Sequence, residues 1–117
     1  VVSVEPVPGG TDTILLTGST SVMAHGHVSY SISNAPANAP WVLYYAFNLN
    51  GSVIHGQPFD IGTPRFIATS GTASAAGTAS WTSGRVPASA SGHTVYVEAR
   101  ADGTQTFDSN AVTLVVQ

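Results

Sequence analysis

The sequence has no cysteine and no lysine, and charged residues make up only 8% of its 117 positions. Without cysteine there is no disulfide framework, thiolate nucleophile or zinc–thiolate site. The only cations besides histidine are Arg65, Arg85 and Arg100. Nucleic acids and anionic membrane surfaces are bound by clusters of basic residues, so the sequence predicts neither of these partners.

Long apolar runs are also missing. The longest, WVLYYAF at Trp41–Phe47, is far shorter than the roughly 20 residues that a membrane-spanning helix needs, so no membrane insertion is predicted. A net charge of −3 gives little repulsion between copies and makes association easier. A lysine-free composition rich in Ser, Thr, Gly and Ala is typical of secreted and cell-surface bacterial modules. It predicts that the protein is secreted or lies at the cell surface.

Apolar and polar residues alternate with a period of two in several short stretches bounded by Gly, Pro and Asn. In HVSYSIS, Val28, Tyr30 and Ile32 fall on one face, and HTVYVEARA repeats the pattern from Val95 to Ala99. About seven to nine such strands predict an all-β protein, an antiparallel Ig-like β-sandwich.

The length suits one sandwich domain, predicted at residues 11–117. Residues 1–10 are predicted to be an N-terminal strand and hinge that can act as a donor strand. The stretch Trp41–Leu49 is apolar on both faces, which indicates either a central strand covered on both sides or one with an exposed aromatic patch. Asn50-Gly51 predicts a hairpin turn.

Two segments resemble the Ig-like β-sandwich modules of secreted and cell-surface bacterial proteins. One runs from Gly71 as GTASAAGTASWTSGRVPASASGHTVYVEARADGTQTFDSNAVTLVV, and the other is ISNAPANAPWVLYYAF. The resemblance spans Gly18–Val116 and implies a non-catalytic extracellular module, with no active-site residues carried over. The residues that match are Gly77, Thr78, Ala79, Val86, Pro87, Gly92, Thr94, Val95, Tyr96, Ala99, Ser109 and Asn110.

Two histidines are candidate metal ligands. His25 and His27 share one face if they lie in a strand, and that spacing suits a metal ion. No third ligand follows at a suitable spacing, so two surface histidines beside a turn are the preferred interpretation and no metal site is predicted.

Carboxylates are few. Asp102, Asp108 and Asn110 are the best local calcium ligands, although the turn preference of Asp and Asn explains them more simply. Glu98 is predicted on an outward strand face in a solvated pair with Arg100. No carboxylate pair, nucleophile elbow or phosphate-binding loop is recognisable. The sequence therefore predicts no catalytic residue, no cofactor and no enzyme.

Aromatic residues concentrate at Trp41 and Tyr44 and their neighbours. Aromatic rings can stack on sugar rings, so Trp41 and Tyr44 are the candidates for binding a polysaccharide. Packing in the core and across strands is the preferred interpretation, because one face of any sandwich strand must be apolar.

The two ends of the chain are apolar, extended and nearly uncharged, and lysine is not available to guard their edges. The residues predicted to mediate assembly are Val1, Val2, Val4, Val112, Leu114 and Val116. The main prediction is an extracellular structural protein whose copies associate by β-strand addition into a filament or surface layer. The alternative is a carbohydrate-binding or adhesion module of a larger secreted protein.

Overall fold

A computed structural model describes residues 14–117, and these residues form a sandwich of antiparallel β-sheets with one short parallel pairing at an edge. The predicted all-β fold is confirmed. The described residues contain one short 3-10 turn, Ala88–Ala90. Their strands are β1 (Leu15–Gly18), β2 (Ser21–Val22), β3 (Ser29–Ser33), β4 (Pro40–Ala46), β5 (Ser52–Ile54), β6 (Gln57–Phe59), β7 (Arg65–Thr72), β8 (Ala79–Thr82), β9 (Thr94–Asp102), β10 (Thr106–Asp108) and β11 (Val112–Val116).

The two facing sheets differ in width. The smaller sheet has the order β1-β3-β8, and the larger has the order β2-β11-β9-β4-β7, with β10 paired to the end of β9. Several strands are only two or three residues long, and segments this short carry no detectable periodicity. They bring the count above the number that alternation predicted.

The main core lies between these sheets and follows the alternation of the strands. Tyr30 and Ile32 of β3 are buried, while the serines between them face solvent. The inward residues Val97 and Ala99 of β9 meet them from the larger sheet. Period-two patterning therefore fixes which residues enter the core.

A hairpin covers the outer face of the larger sheet. Strands β5 and β6 pair with each other, and Ile54 and Phe59 pack on Tyr44 and Ala46 of β4 in a second, smaller core. Strand β4 is thus covered on both faces, which is one of the two interpretations of its apolar sequence.

The turn of this hairpin is not at Asn50-Gly51, and that prediction is wrong. It is at His55-Gly56, where both residues have positive φ angles of 52° and 80°, as a type I′ turn requires. Gly51 lies at the base of the hairpin, where its N–H donates to the Asp60 carbonyl over 3.1 Å.

The last strand, β11, lies inside the larger sheet, because it pairs with β9 on one edge and with β2 on the other. The predicted strand and hinge at residues 1–10 lie outside the described residues, so the division into a hinge and a sandwich domain stays a prediction. No helix within residues 14–117 is long and apolar enough to cross a membrane.

Candidate functional site

Glu98 is fully buried, with 0% of its surface exposed, so the prediction of a solvated pair with Arg100 is wrong. It lies on the outer face of β9, beneath the chain that follows the β5–β6 hairpin. Its Oε1 accepts hydrogen bonds from the backbone N–H groups of Asp60 and Ile61, both over 3.0 Å. A non-local segment therefore covers a side chain that the local pattern placed in solvent.

The second oxygen of Glu98 is buried and lacks a donor among the described residues. Burial, and after it the neighbouring carboxyl of Asp108, raise the pKa of Glu98 to about 9. Burial also raises the pKa of Asp108, which accepts a hydrogen bond from Gln57 Nε2 over 2.8 Å. Two adjacent buried carboxylates cannot both ionise cheaply, so this environment favours the neutral form of Glu98.

An open groove of about 590 Å³ lies on the same outer face, between the hairpin and strand β7. Its polar wall has two of the three arginines of the chain, Arg65 and Arg100. Its apolar wall includes Val53 and Ile67, which are 62% and 65% exposed. A groove with apolar walls and a few convergent polar groups is the usual form of a ligand site. We call this surface the outer groove; its lining is Tyr44, Val53, Ile54, His55, Thr63, Arg65, Ile67 and Arg100.

The two arginines of the outer groove, Arg100 and Arg65, make different contacts. Arg100 donates to Asp102 Oδ2 through Nε and Nη2 over 3.1 and 2.8 Å, and through Nη1 to the Tyr44 hydroxyl over 2.7 Å. Within residues 14–117 this is the one ion pair. The guanidinium of Arg65 lies over the Tyr44 ring, 5.9 Å from its centroid. Within residues 14–117 Arg65 has no carboxylate partner, so its guanidinium can meet an acidic ligand.

A second opening, the intersheet cavity, has a volume of about 380 Å³ and lies between the two sheets. Tyr30 and Trp81 line it from the smaller sheet and Leu43 and Val97 from the larger, with Val86 and Ala90 at one end. Protein interiors are normally packed to the density of organic crystals, so an apolar opening of this size is a distinctive feature of the fold.

An aromatic cluster stands at the cavity. Tyr45 stacks on Phe66 at 5.3 Å between ring centroids, and Phe47 meets both rings edge-on. Phe47 and Phe66 are 50% and 41% exposed. Sequence reasoning missed Phe66 because it is far from Tyr45 along the chain. The signal that could have identified it is an aromatic residue within the short apolar stretch that follows Arg65.

Trp41, one of the two predicted sugar-stacking residues, is only 7% exposed and belongs to the main core. Its ring packs against Gly71 of the neighbouring strand, so it offers no face to a sugar. Tyr44 is also buried, but it lines the outer groove. The structure thus separates the two residues onto opposite faces of β4.

The predicted assembly residues fall into two sets. Leu114 and Val116 are buried in the core and Val112 packs against it, so the C-terminal strand is held within its own molecule. Val1, Val2 and Val4 lie outside the described residues.

The predicted calcium ligands each have their own partners. Asp102 binds Arg100 and Thr106, and Asp108 is buried against Gln57. The amide of Asn110 pairs with both backbone groups of Leu16 over 2.8 and 2.9 Å. For Asp108 the solvated-turn interpretation is wrong, because the β5–β6 hairpin covers it.

The histidines lie apart from these surfaces, except His55 at the outer groove and His93 at the cavity. His25 and His27 are exposed, and His27 Nδ1 is 2.8 Å from the carbonyl of Ser83. No group of three His, Asp or Glu side chains within residues 14–117 is arranged to hold a metal ion.

Comparison with known structures supports the fold. No protein-family model matches the sequence, and comparison with curated proteins gives no match. A crystal structure of the polysaccharide monooxygenase CBM33 is similar with a TM-score of 0.51 and 17% identity, covering 85% of this chain and 60% of that one. The chain therefore spans less than two thirds of that protein, and the likeness shows a shared β-sandwich fold.

The structural comparison contradicts the prediction that the chain is not an enzyme. That prediction inferred the absence of catalysis from the absence of familiar motifs, yet the similar structure is that of a monooxygenase, an enzyme. Fold and function are separable, because function depends on the site that a fold carries.

Proposed function

We propose that this chain is an extracellular β-sandwich module that binds an acidic polysaccharide along the outer groove. The observation that carries the proposal is the convergence of Arg65 and Arg100 on Tyr44 in an open groove. The secreted or cell-surface location is part of the proposal and is supported by the lysine-free composition. The similar structure is that of a polysaccharide monooxygenase, which agrees with a polysaccharide as the ligand class.

The chemistry of the groove selects acidic sugars. An arginine presents planar donors that match a carboxylate, and Arg65 has no carboxylate partner within residues 14–117. The exposed Val53 and Ile67 suit the C–H faces of sugar rings. Binding in an open groove is consistent with a long chain that enters and leaves at both ends.

The test compares two arginine substitutions. Arg65→Ala removes the available guanidinium, while Arg85→Ala removes an exposed arginine outside the groove. Titration calorimetry with an oligouronate should show at least a tenfold loss of affinity for Arg65→Ala and none for Arg85→Ala. A neutral glucan of equal length serves as the control ligand. Equal loss for both variants, or no oligouronate binding by the wild type, would contradict the proposal.

A second function is association between copies of the chain, favoured by the apolar intersheet cavity and by the low net charge. In this proposal the module is a subunit of an extracellular filament or layer. Light scattering over a range of concentrations tests it: the mean mass should rise above that of one chain. A constant monomer mass up to millimolar concentration would rule the assembly out.

A further inference from the structure

Among residues 14–117, strand β8 has an edge without a strand partner beside the intersheet cavity. Strand β8 pairs with β3 on one edge, and within residues 14–117 no strand pairs with its other edge. Main-chain donors and acceptors on a free strand edge can pair with an added strand.

The larger sheet extends beyond this edge. Trp41 and Leu43 of β4 and Trp81 of β8 line one crevice, so β8 lies over β4. Strand β7 is the next strand outward, and none of its eight residues is buried. Its Ala68 lines the cavity and its Phe66 stacks on the cavity residue Tyr45, and among residues 14–117 the smaller sheet has no strand beyond β8. The fold therefore has room for a fourth strand in the smaller sheet, next to β8 and over β7.

The sequence contains a segment that fits this place. Residues 1–7 read VVSVEPV. As a strand they would present Val2 and Val4 on one face and Ser3 and Glu5 on the other. The apolar face matches the cavity, and the polar face matches the solvent side of a sheet. Pro6 lacks an N–H, which an edge strand tolerates.

The position of Ile14 favours a segment from another molecule. Leu15 of β1 pairs with Ser33, so the described chain begins at the Ser33 end of the smaller sheet and at the edge opposite β8. The cavity contacts Val28 and Tyr30, towards the other end of β3. The first described residue and the acceptor place thus lie at opposite corners, which suits a head-to-tail contact that repeats in an open chain.

We infer that the intersheet cavity and the free edge of β8 form the acceptor for residues Val1–Val7 of a second copy of this chain. Val2 and Val4 fill the cavity, and the backbone of the segment pairs with β8. This inference rests on the proposed association between copies, and it names the segment and the surface that carry it.

The natural absence of cysteine allows a direct test. Val4→Cys and Ala68→Cys are made in separate chains, mixed and oxidised. A disulfide-linked dimer containing one chain of each variant is expected. Ser3→Cys, on the opposite face of the segment, is the matched control and should link to Ala68→Cys at least tenfold less.

A double variant with Val4→Cys and Ala68→Cys in one chain separates the possible occupants. A ladder of linked chains on a non-reducing gel supports the inference. A single chain closed on itself means that the segment fills its own cavity, which overturns the assignment to a second copy.

Deletion of residues 1–7 separates this inference from the association on which it rests. Loss of the oligomer, with an unchanged circular dichroism spectrum, supports the inference. Oligomers that persist after the deletion overturn the acceptor assignment while the association stands. A wild type that is monomeric at every concentration and forms no mixed dimer overturns both.

Discussion

The single residue Glu98 lies where several segments of the outer face meet. Its carboxyl is buried, accepts hydrogen bonds from the N–H groups of Asp60 and Ile61, and has its pKa raised by burial and by the neighbouring carboxyl of Asp108. An unpartnered buried charge is expensive, so the neutral form is the one that this environment accepts. Glu98 therefore links β9 to the segment that follows the hairpin, and the stability of this link depends on pH.

The first prediction concerns this dependence. The pKa of Glu98 is raised in the folded chain from its ordinary 4.5 to about 9. The unfolded chain then releases this proton at a lower pH than the folded chain. The contribution of Glu98 to stability is complete below pH 4.5 and is lost as pH rises to about 9. Urea denaturation between these limits should show a fall of up to about 1.4 kcal/mol per pH unit.

Glu98→Gln should flatten this slope, because an amide accepts the same two backbone hydrogen bonds and does not titrate. Asp102→Asn, which alters a carboxylate outside this buried pair, is the control and should keep the wild-type slope. If the two variants lose stability with equal slopes as the pH rises, Glu98 is not the titrating group.

The second prediction concerns the stability cost of replacing Gly77. This glycine has a φ of +77°, and a Cβ there would overlap the carbonyl oxygen of Ala35. Gly77→Ala should cost about 2 kcal/mol or more, from both strain and overlap. Gly56→Ala shares the positive φ, at +80°, but has open space around it, and should cost about 1 kcal/mol. Denaturation midpoints measure both variants, and equal losses would mean that the overlap is relieved.

At the level of elements, the β5–β6 hairpin forms one wall of the outer groove. Phe59 is buried against Tyr44, with ring centroids 6.3 Å apart in an edge-on arrangement. We expect Phe59→Ala to cost about 3–5 kcal/mol of unfolding free energy. The control Val53→Ala, on the exposed side of the same hairpin, should stay within about 0.5 kcal/mol. A small effect of Phe59→Ala in urea denaturation would show that the hairpin is not packed on β4.

The sequence predicts strands well where one face of the strand lies on the core. Strands β3 and β9 match their alternation for this reason. The sequence gives the wrong position for the hairpin turn. The turn contains His55 with a positive φ, and histidine is not among the residues that commonly mark such turns. Strand β7 runs from Arg65 to Thr72, since pairing with β4 extends it through Gly and Ser residues of low β-propensity.

At the level of the whole molecule, the C-terminal strand is part of the sandwich and not a free end. The last strand is held between β9 and β2, so Leu114→Ala should cost about 2–5 kcal/mol. Val115→Ala, at an exposed position one residue away, should cost about 0.5 kcal/mol or less. Thermal or urea unfolding measures both. A neutral Leu114→Ala that instead weakens association would place this strand in an interface between copies.

The sandwich also places the two proposed functions on different surfaces. The outer groove lies on the outer face of the larger sheet, and the intersheet cavity opens between the sheets. Because the lining residues of the two openings do not overlap, polysaccharide binding and association between copies can be tested by separate variants.

The sequence alone determined the fold class, because alternation of apolar and polar residues encodes which face of a strand is buried. It also determined the scarcity of charge that makes two arginines in one groove notable. Tyr44 was among its candidates for sugar binding, although for its ring and not for its contacts with Arg65 and Arg100.

Tertiary structure decided what covers each face. Trp41 turns into the core, and Glu98 is buried by a segment 37 residues away in the chain. Among residues 14–117 the smaller sheet has fewer strands than the larger, and the cavity lies between the two. Such features come from pairing between distant segments, and a local period of two contains no information about which segment lies above a given strand.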